Sequence, residues 1–156
     1  MISRYKVVIV SDNHGRDVLD DIVSDHPDAD AYIHCGDSEM NNYQVSDYVH
    51  VRGNNDYYGD FPEETTLQIG KVKFYITHSH LFSYHKRLER LLERAKQYGC
   101  QVACFGHTHM VLMKEVDGIL MLNPGSLRYN RDYSKTGYMI LTWETNGSFQ
   151  VEFVPY

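Results

Sequence analysis

Five short clusters in the 156-residue chain combine Asp, Asn and His with glycine or small polar residues. They are Ser11-Asp12-Asn13-His14-Gly15, Gly36-Asp37, Gly53-Asn54-Asn55-Asp56, Thr77-His78-Ser79-His80 and Gly106-His107-Thr108-His109. Carboxylate, amide and imidazole groups in this number are metal ligands by type. Asp12 and His14, read as extended backbone, point to one side while Asn13 points away. Asp37 adds a carboxylate with two oxygens that can bridge two ions. Asn54 offers an amide oxygen, and His78, His107 and His109 offer ring nitrogens. Seven mixed nitrogen and oxygen ligands are too many for one tetrahedral zinc. They suit two divalent ions about 3.5–4 Å apart with a shared carboxylate, a pair that binds a phosphoryl group and turns a bridging water into the attacking hydroxide. No protein nucleophile is then required, and no Gly-x-Ser-x-Gly or Cys/His pair signals one. A Walker phosphate loop is also missing, which argues against a nucleoside-triphosphate motor or kinase.

The elements that must position these groups are legible around them. Tyr5 to Val10 is a nearly continuous β-branched run, as expected of a strand buried on both faces. Arg16 to Asp25 places Val18, Leu19, Ile22 and Val23 at helical spacing, stopped by His26-Pro27. Further strands are expected over 29–34 and 48–51, with a polar stretch over 38–47 that suggests at most a short helix. Each of the first three strands delivers its polar cluster at its C-terminal end, where sites form in α/β sheets. Gly70-Lys71 marks a hairpin between 65–69 and 72–76, and the second of these runs into His78. The spacing of Leu88, Leu91, Leu92 and Ala95 predicts a helix over 86–98, ended by Gly99. Strands over 101–105, 111–116, 119–122 and 138–142 follow, and Asn146-Gly147 breaks a final pair over 143–154. Alternating β and α, then mostly β, implies two sheets packed as a sandwich with helices outside.

Composition narrows the class. Length and a 42% hydrophobic content point to one globular domain, residues 1–156. Fifteen Lys and Arg against 21 Asp and Glu give a net charge of −6, with no basic run, which argues against general nucleic-acid or membrane-surface binding. No signal-peptide pattern or transmembrane-length apolar run is found, so a cytoplasmic protein is expected. Cys35, Cys100 and Cys104 have no zinc-thiolate spacing and read as buried, reduced thiols.

Asp12-x-His14, Gly36-Asp37, Gly53-Asn54-x-Asp56, Thr77-His78-x-His80 and Gly106-His107-x-His109, followed by Asn123-Pro124-Gly125-Ser126, resemble the calcineurin-like metallophosphoesterase superfamily. The likeness is greatest to its small single-domain phosphodiesterase branch of bacteria and archaea, and it spans residues 7 to about 128. It implies a four-layer αββα sandwich, α/β in class, with two mixed sheets flanked by helices. It implies that Asp12, His14 and His109 hold a first metal, that Asn54, His78 and His107 hold a second, and that Asp37 bridges. It also implies manganese, although the ligand types alone admit Mn, Fe, Zn or Ni. A small phosphodiester or nucleotide is the implied substrate, and a homodimer is compatible with the branch. Two positions depart from the pattern. Asn55 stands where many relatives carry a histidine that protonates the leaving group, and Ser79 stands where glycine is usual.

Around the ligands, Asn55, Asn123, Ser126 and Arg128 are candidate substrate contacts, Arg128 as a charge-assisted phosphate donor. Asp56 and His80 are candidates to orient the ligands through hydrogen bonds, Asp56 toward His14 or His107. Tyr57 and Tyr58 are candidate pocket walls. His26, His34, His50 and His85 read as packed or solvated residues, with His34 hydrogen-bonded on its strand. The leading expectation is a two-metal phosphodiesterase. Its competitors are a phosphomonoesterase and a protein scaffold like the retromer subunit of this fold, and the complete ligand set argues against the scaffold.

Overall fold

A computed structural model describes residues 2–156. Ten strands form two five-stranded mixed sheets. The first sheet is ordered β10-β9-β1-β2-β3, from β1 (Arg4–Val10), β2 (Ala31–His34), β3 (Val49–His50), β9 (Gly137–Glu144) and β10 (Gln150–Pro155). The second is ordered β4-β5-β6-β8-β7, from β4 (Glu64–Ile69), β5 (Val72–Thr77), β6 (Val102–Cys104), β7 (Val111–Val116) and β8 (Ile119–Pro124). Alternation along the strands splits the apolar residues between layers. Val7, Ile9, Ile33, Val51, Phe74, Ile76, Val102, Leu122 and Leu141 fill the space between the sheets. The outer face of the first sheet, with Val8 and Val10, packs on Leu19 and Ile22 of α1 (Leu19–Asp25). The outer face of the second, with Tyr75 and Ala103, packs on Leu91 and Ala95 of α2 (Arg87–Gln97). The fold is therefore the expected four-layer αββα sandwich, each outer layer a single helix.

Topology decides where the site lies. β1, β2 and β3 run parallel, as do β5, β6 and β8. Bonds beyond these strands join the two sets of C-terminal ends: His107 N–H donates to Asp12 Oδ2 and Leu127 N–H to Ser11 O, while Gly106 N–H, donating to His78 O, ties two clusters of the second sheet together. All five polar clusters thus meet at one edge of the sandwich.

Several expectations are corrected. Residues 16–18 lie outside α1, because they tie loops together: Arg16 Nη1 donates to Leu127 O and Tyr156 O, and Asn13 Nδ2 donates to Arg16 O. Residues 38–47 form turns and no helix. The separate strand expected over 138–142 continues through Trp143 as β9, so the last hairpin is built from β9 and β10 around Asn146-Gly147. Asp12 and His14 are not extended. Their φ values are 53° and 43°, so β1 ends at Val10 and the two side chains reach the site from a left-handed turn. All three cysteines are free and buried. Among the described residues, no helix is long and apolar enough to cross a membrane.

Candidate metal centre

The cluster after β1 supplies Asp12, fully buried, and His14, half-buried. Asp12 Oδ2 accepts from Ser11 Oγ at 2.5 Å and from His107 N–H at 3.1 Å. Its other oxygen, Oδ1, is buried and has no hydrogen-bond partner. That oxygen faces His109 Nε2 at 3.3 Å, His14 Nε2 at 3.6 Å and His78 Nε2 at 3.8 Å. His14 Nε2 and His109 Nε2 are themselves 3.2 Å apart.

A second group of donors adjoins the first. Asn54 Oδ1 lies 3.0 Å from His78 Nε2 and 3.1 Å from His107 Nδ1. Asp37 stands between the groups, its Oδ2 at 3.3 Å from His78 Nε2 and 3.7 Å from His14 Nε2. An ion bonded at about 2.1 Å holds neighbouring donors roughly 3.0–3.5 Å apart. The spacing here is of that order in both groups, and the unpartnered, acceptor-only Asp12 Oδ1 is what a cation would satisfy. The residues therefore fit divalent metal ions.

Imidazole orientation is fixed from behind. His78 Nδ1 bonds Cys35 O at 2.7 Å and His109 Nδ1 bonds Tyr129 O at 2.9 Å. A carbonyl only accepts, so both rings carry a proton on Nδ1, and Nε2 is the nitrogen left for a metal ion. His107 differs, presenting Nδ1.

Without a cation, protons do the charge balancing. Burial drives the Asp12 carboxyl up, but the neighbouring imidazoles, His78 first and then His109 and His14, outweigh it and hold Asp12 well below the usual carboxylate range. Burial also opposes the ionised Asp37, and its bond with His78 again leaves the carboxyl lowered. His14 is raised, first by its interaction with Asp12. Burial opposes a charged His78, but Asp12 and Asp37 together outweigh that cost and leave it raised. His107 is pushed down to about 4 by burial, then by the charges of His78 and Arg87, which leaves it neutral and free to coordinate.

Left-handed backbone concentrates here. Asp12, His14, Asp37, Glu39, Ser79, His107 and His109 all have positive φ. Each such non-glycine residue costs on the order of 1–3 kcal/mol and persists only where its surroundings over-determine it. Ser79, at φ 81°, shows why glycine suits that position. Two glycines are required for space instead. A β-carbon on Gly53 would collide with the Asp37 carboxylate, and one on Gly106 with Ser11 Oγ and Asp12 Oδ2.

The remaining candidates have different places from those expected. Asp56 reaches neither His14 nor His107. Its carboxylate accepts from the backbone N–H groups of Gly53 at 2.7 Å, Asp37 at 2.8 Å and Glu39 at 3.0 Å, so it holds ligand-bearing loops. His80 makes no hydrogen bond to a ligand. Its ring sits 5.3 Å from that of His78, and its buried Nδ1 has no partner. Asn123 and Ser126 are fully buried and engaged. Asn123 Nδ2 donates to Thr108 Oγ1 and Gly106 O, and Ser126 Oγ donates to Asp12 O at 2.7 Å, so both brace the loops from beneath. Asn55 touches the site through Asp37, its N–H bonding Oδ1 at 2.8 Å and its Nδ2 bonding Oδ2 at 3.0 Å. Arg128 is exposed, as are Tyr57 and Tyr58. His34 is hydrogen-bonded as expected, to Asn13 Oδ1 at 2.7 Å. Sequence reasoning missed Ser11 and Glu39, which no spacing pattern signals. The carbonyls of Cys35 and Tyr129 carry no sequence signal at all.

Two facing mixed sheets with carboxylates, an amide and imidazoles gathered at one edge make a candidate metal centre suited to phosphoester hydrolysis. Comparison with known proteins agrees. The chain is 39% identical over 146 residues to a probable metallophosphoesterase of Bacillus subtilis (strain 168), covering 91% of this chain and 86% of that protein. It is 30% identical over 146 residues to a phosphodiesterase of Methanocaldococcus jannaschii, covering 77% of this chain and 82% of that one. A crystal structure from Streptococcus pneumoniae TIGR4, of a conserved protein described as a predicted phosphoesterase, superposes with a TM-score of 0.92 at 26% identity, covering 98% of this chain and 90% of that one. Residues 5–146 match the calcineurin-like phosphoesterase superfamily domain, and the chain belongs to that family.

Proposed function

We propose that this protein hydrolyses phosphodiesters at a two-metal centre in which Asp12, His14 and His109 hold one ion, Asn54, His78 and His107 hold the other, and Asp37 serves both. The observation that carries the proposal is the position of Asp37 Oδ2, 3.7 Å from His14 Nε2 in one donor group and 3.3 Å from His78 Nε2 in the other. Bound divalent ions, manganese foremost, supply Lewis-acid polarisation of a phosphoryl group and activation of water.

The protein's own part is positional. Ser11 and the His107 amide hold one oxygen of Asp12 and leave the other for the ion. Asn55 fixes both oxygens of Asp37. A neutral amide at this position cannot protonate a departing alkoxide, which favours low-pKa leaving groups and diesters over monoesters. Arg128, exposed two residues past Ser126, is the cation offered to the substrate. The scaffold alternative is disfavoured because every ligand position keeps a competent donor.

The test is hydrolysis of bis(4-nitrophenyl) phosphate by the purified protein. Turnover is expected with Mn(II) and is expected to vanish with a chelator, and Asp37→Ala is expected to bind fewer than two ions per chain. No turnover with Mn, Fe, Zn or Ni on several activated diesters, or two ions retained by Asp37→Ala, would count against the proposal.

A further inference from the structure

We propose that Glu39 is a positioning residue for the first ion, orienting His14 and strengthening it as a ligand; this rests on the two-metal reading above. Three imidazoles present Nε2 to the donor groups: His14, His78 and His109. In two of them Nδ1 is held by a main-chain carbonyl, Cys35 O for His78 and Tyr129 O for His109. His14 is the exception. Its Nδ1 faces the Glu39 carboxylate instead, with Oε1 at 3.6 Å.

The backbone holds Glu39 in that place. Glu39 sits at φ 57°, and its N–H donates to Asp56 Oδ1 at 3.0 Å. The same Asp56 carboxylate takes the Asp37 N–H, so one buried acceptor sets both the shared ligand and Glu39. The loop carrying His14 is zipped to this segment, His14 N–H donating to Asp37 O at 3.1 Å and Gly15 N–H to Ser38 O at 2.8 Å. A left-handed glutamate would be costly in a free loop. Here its side chain, with 40% of its surface exposed, lies over the back of the ligand ring.

A carboxylate behind a metal-bound imidazole does what a carbonyl does and more. It fixes the proton on Nδ1, orients the ring and makes Nε2 a stronger donor, and removing such a partner typically costs 10–100-fold in metal affinity. Glu39 acts only through His14, so its effect is confined to the first ion.

The experiment is calorimetric titration of Mn(II) into metal-free wild type, Glu39→Ala and Glu39→Gln, with thermal unfolding of each metal-free protein. The zinc-loaded forms are examined by NMR for the His14 Nδ1–H signal. Glu39→Ala is expected to weaken one of two sites 10–100-fold, to leave the other unchanged, to broaden or lose the His14 signal and to leave metal-free unfolding where it was. Glu39→Gln, whose amide oxygen still accepts, is expected to restore most of the affinity. Unchanged affinities in Glu39→Ala would overturn the role. So would equal weakening of both sites with a lower unfolding temperature, which is the signature of a merely structural loop residue. Failure of the two-metal reading would show in the wild-type arm alone, as fewer than two ions bound, and would overturn both.

Discussion

Asp56→Asn removes one charge and almost no volume, and its consequences can be worked out atom by atom. Asp56 Oδ2 accepts two backbone N–H groups, from Gly53 and Asp37, and Oδ1 accepts the N–H of Glu39 and the hydroxyl of Ser38. The side chain is 2% exposed, so water cannot replace it. An asparagine keeps one acceptor and puts an NH2 in place of the other. In one orientation that NH2 meets two N–H donors, and in the other it meets one N–H donor. The second orientation costs less, leaving a buried amide unpaired and weakening the charge-assisted bonds that remain. With about 1–3 kcal/mol for an unpaired buried group and similar values for bonds to a charged acceptor, the loss is about 3 kcal/mol. For a chain of this size that lowers the unfolding midpoint by roughly 6–12 °C. Because Gly53 precedes Asn54 and the Asp37 amide belongs to the shared ligand, affinity for both ions is also expected to fall about tenfold or more. Thermal unfolding of the metal-free variant and calorimetric titration with Mn(II) check both parts. A midpoint within 2 °C of wild type, or unchanged affinity despite a lower midpoint, would refute the claim that Asp56 holds the ligand loops.

Two further outcomes follow from the packing and the charges. Gly106→Ala is expected to displace the Asp12 carboxylate, since the added β-carbon collides with its Oδ2 and with Ser11 Oγ; a loss of about 1–3 kcal/mol in denaturant unfolding and failure to fill the first metal site are the readouts. His50, stacked between His34 and Phe61, is pushed down to about 4 by burial. Below about pH 6.5 the unfolded chain takes up a proton there that the folded chain refuses, so the stability associated with His50 is complete above pH 6.5 and is lost as pH falls toward 4, by about 1.4 kcal/mol per unit. Urea unfolding of wild type and His50→Gln from pH 7 to 4.5 should show the wild type losing more stability, and parallel curves would contradict the burial argument.

Most of the frame was legible in the residues. The run Val7-Val8-Ile9-Val10 is apolar on both faces because it sits between a second sheet and a helix, and that is readable without coordinates. The Gly70 and Gly147 turns were readable for the same local reason. The seven candidate ligand positions were legible because each follows a strand. What escaped was whatever depends on partners distant in sequence. Nothing local marks Asp12 and His14 as left-handed; hydrogen bonds with Gly36, Asp37 and Ser126 hold them so. Asp56 was expected to face an imidazole and binds amides instead, since its donors come from residues 37, 39 and 53. Asn123 and Ser126 look like substrate contacts by type, and only their burial shows them to be braces. Glu39, an ordinary surface glutamate by sequence, acquires meaning only from the ring beside it.

The two sheets contribute unequally and complementarily to the centre. Asp12, His14, Asp37 and Asn54 follow strands of the first, and His78, His107 and His109 follow strands of the second. Each donor group therefore straddles the seam, and bound ions would rivet one sheet to the other. The apolar layer between them then acts as a spacer gauge. A change in the bulk of Val102, Leu122 or Met139, none of which offers a metal donor, would shift one set of donors against the other and be read out as altered metal spacing. In this architecture the interior sets the calibration of the metal site as well as the stability of the fold.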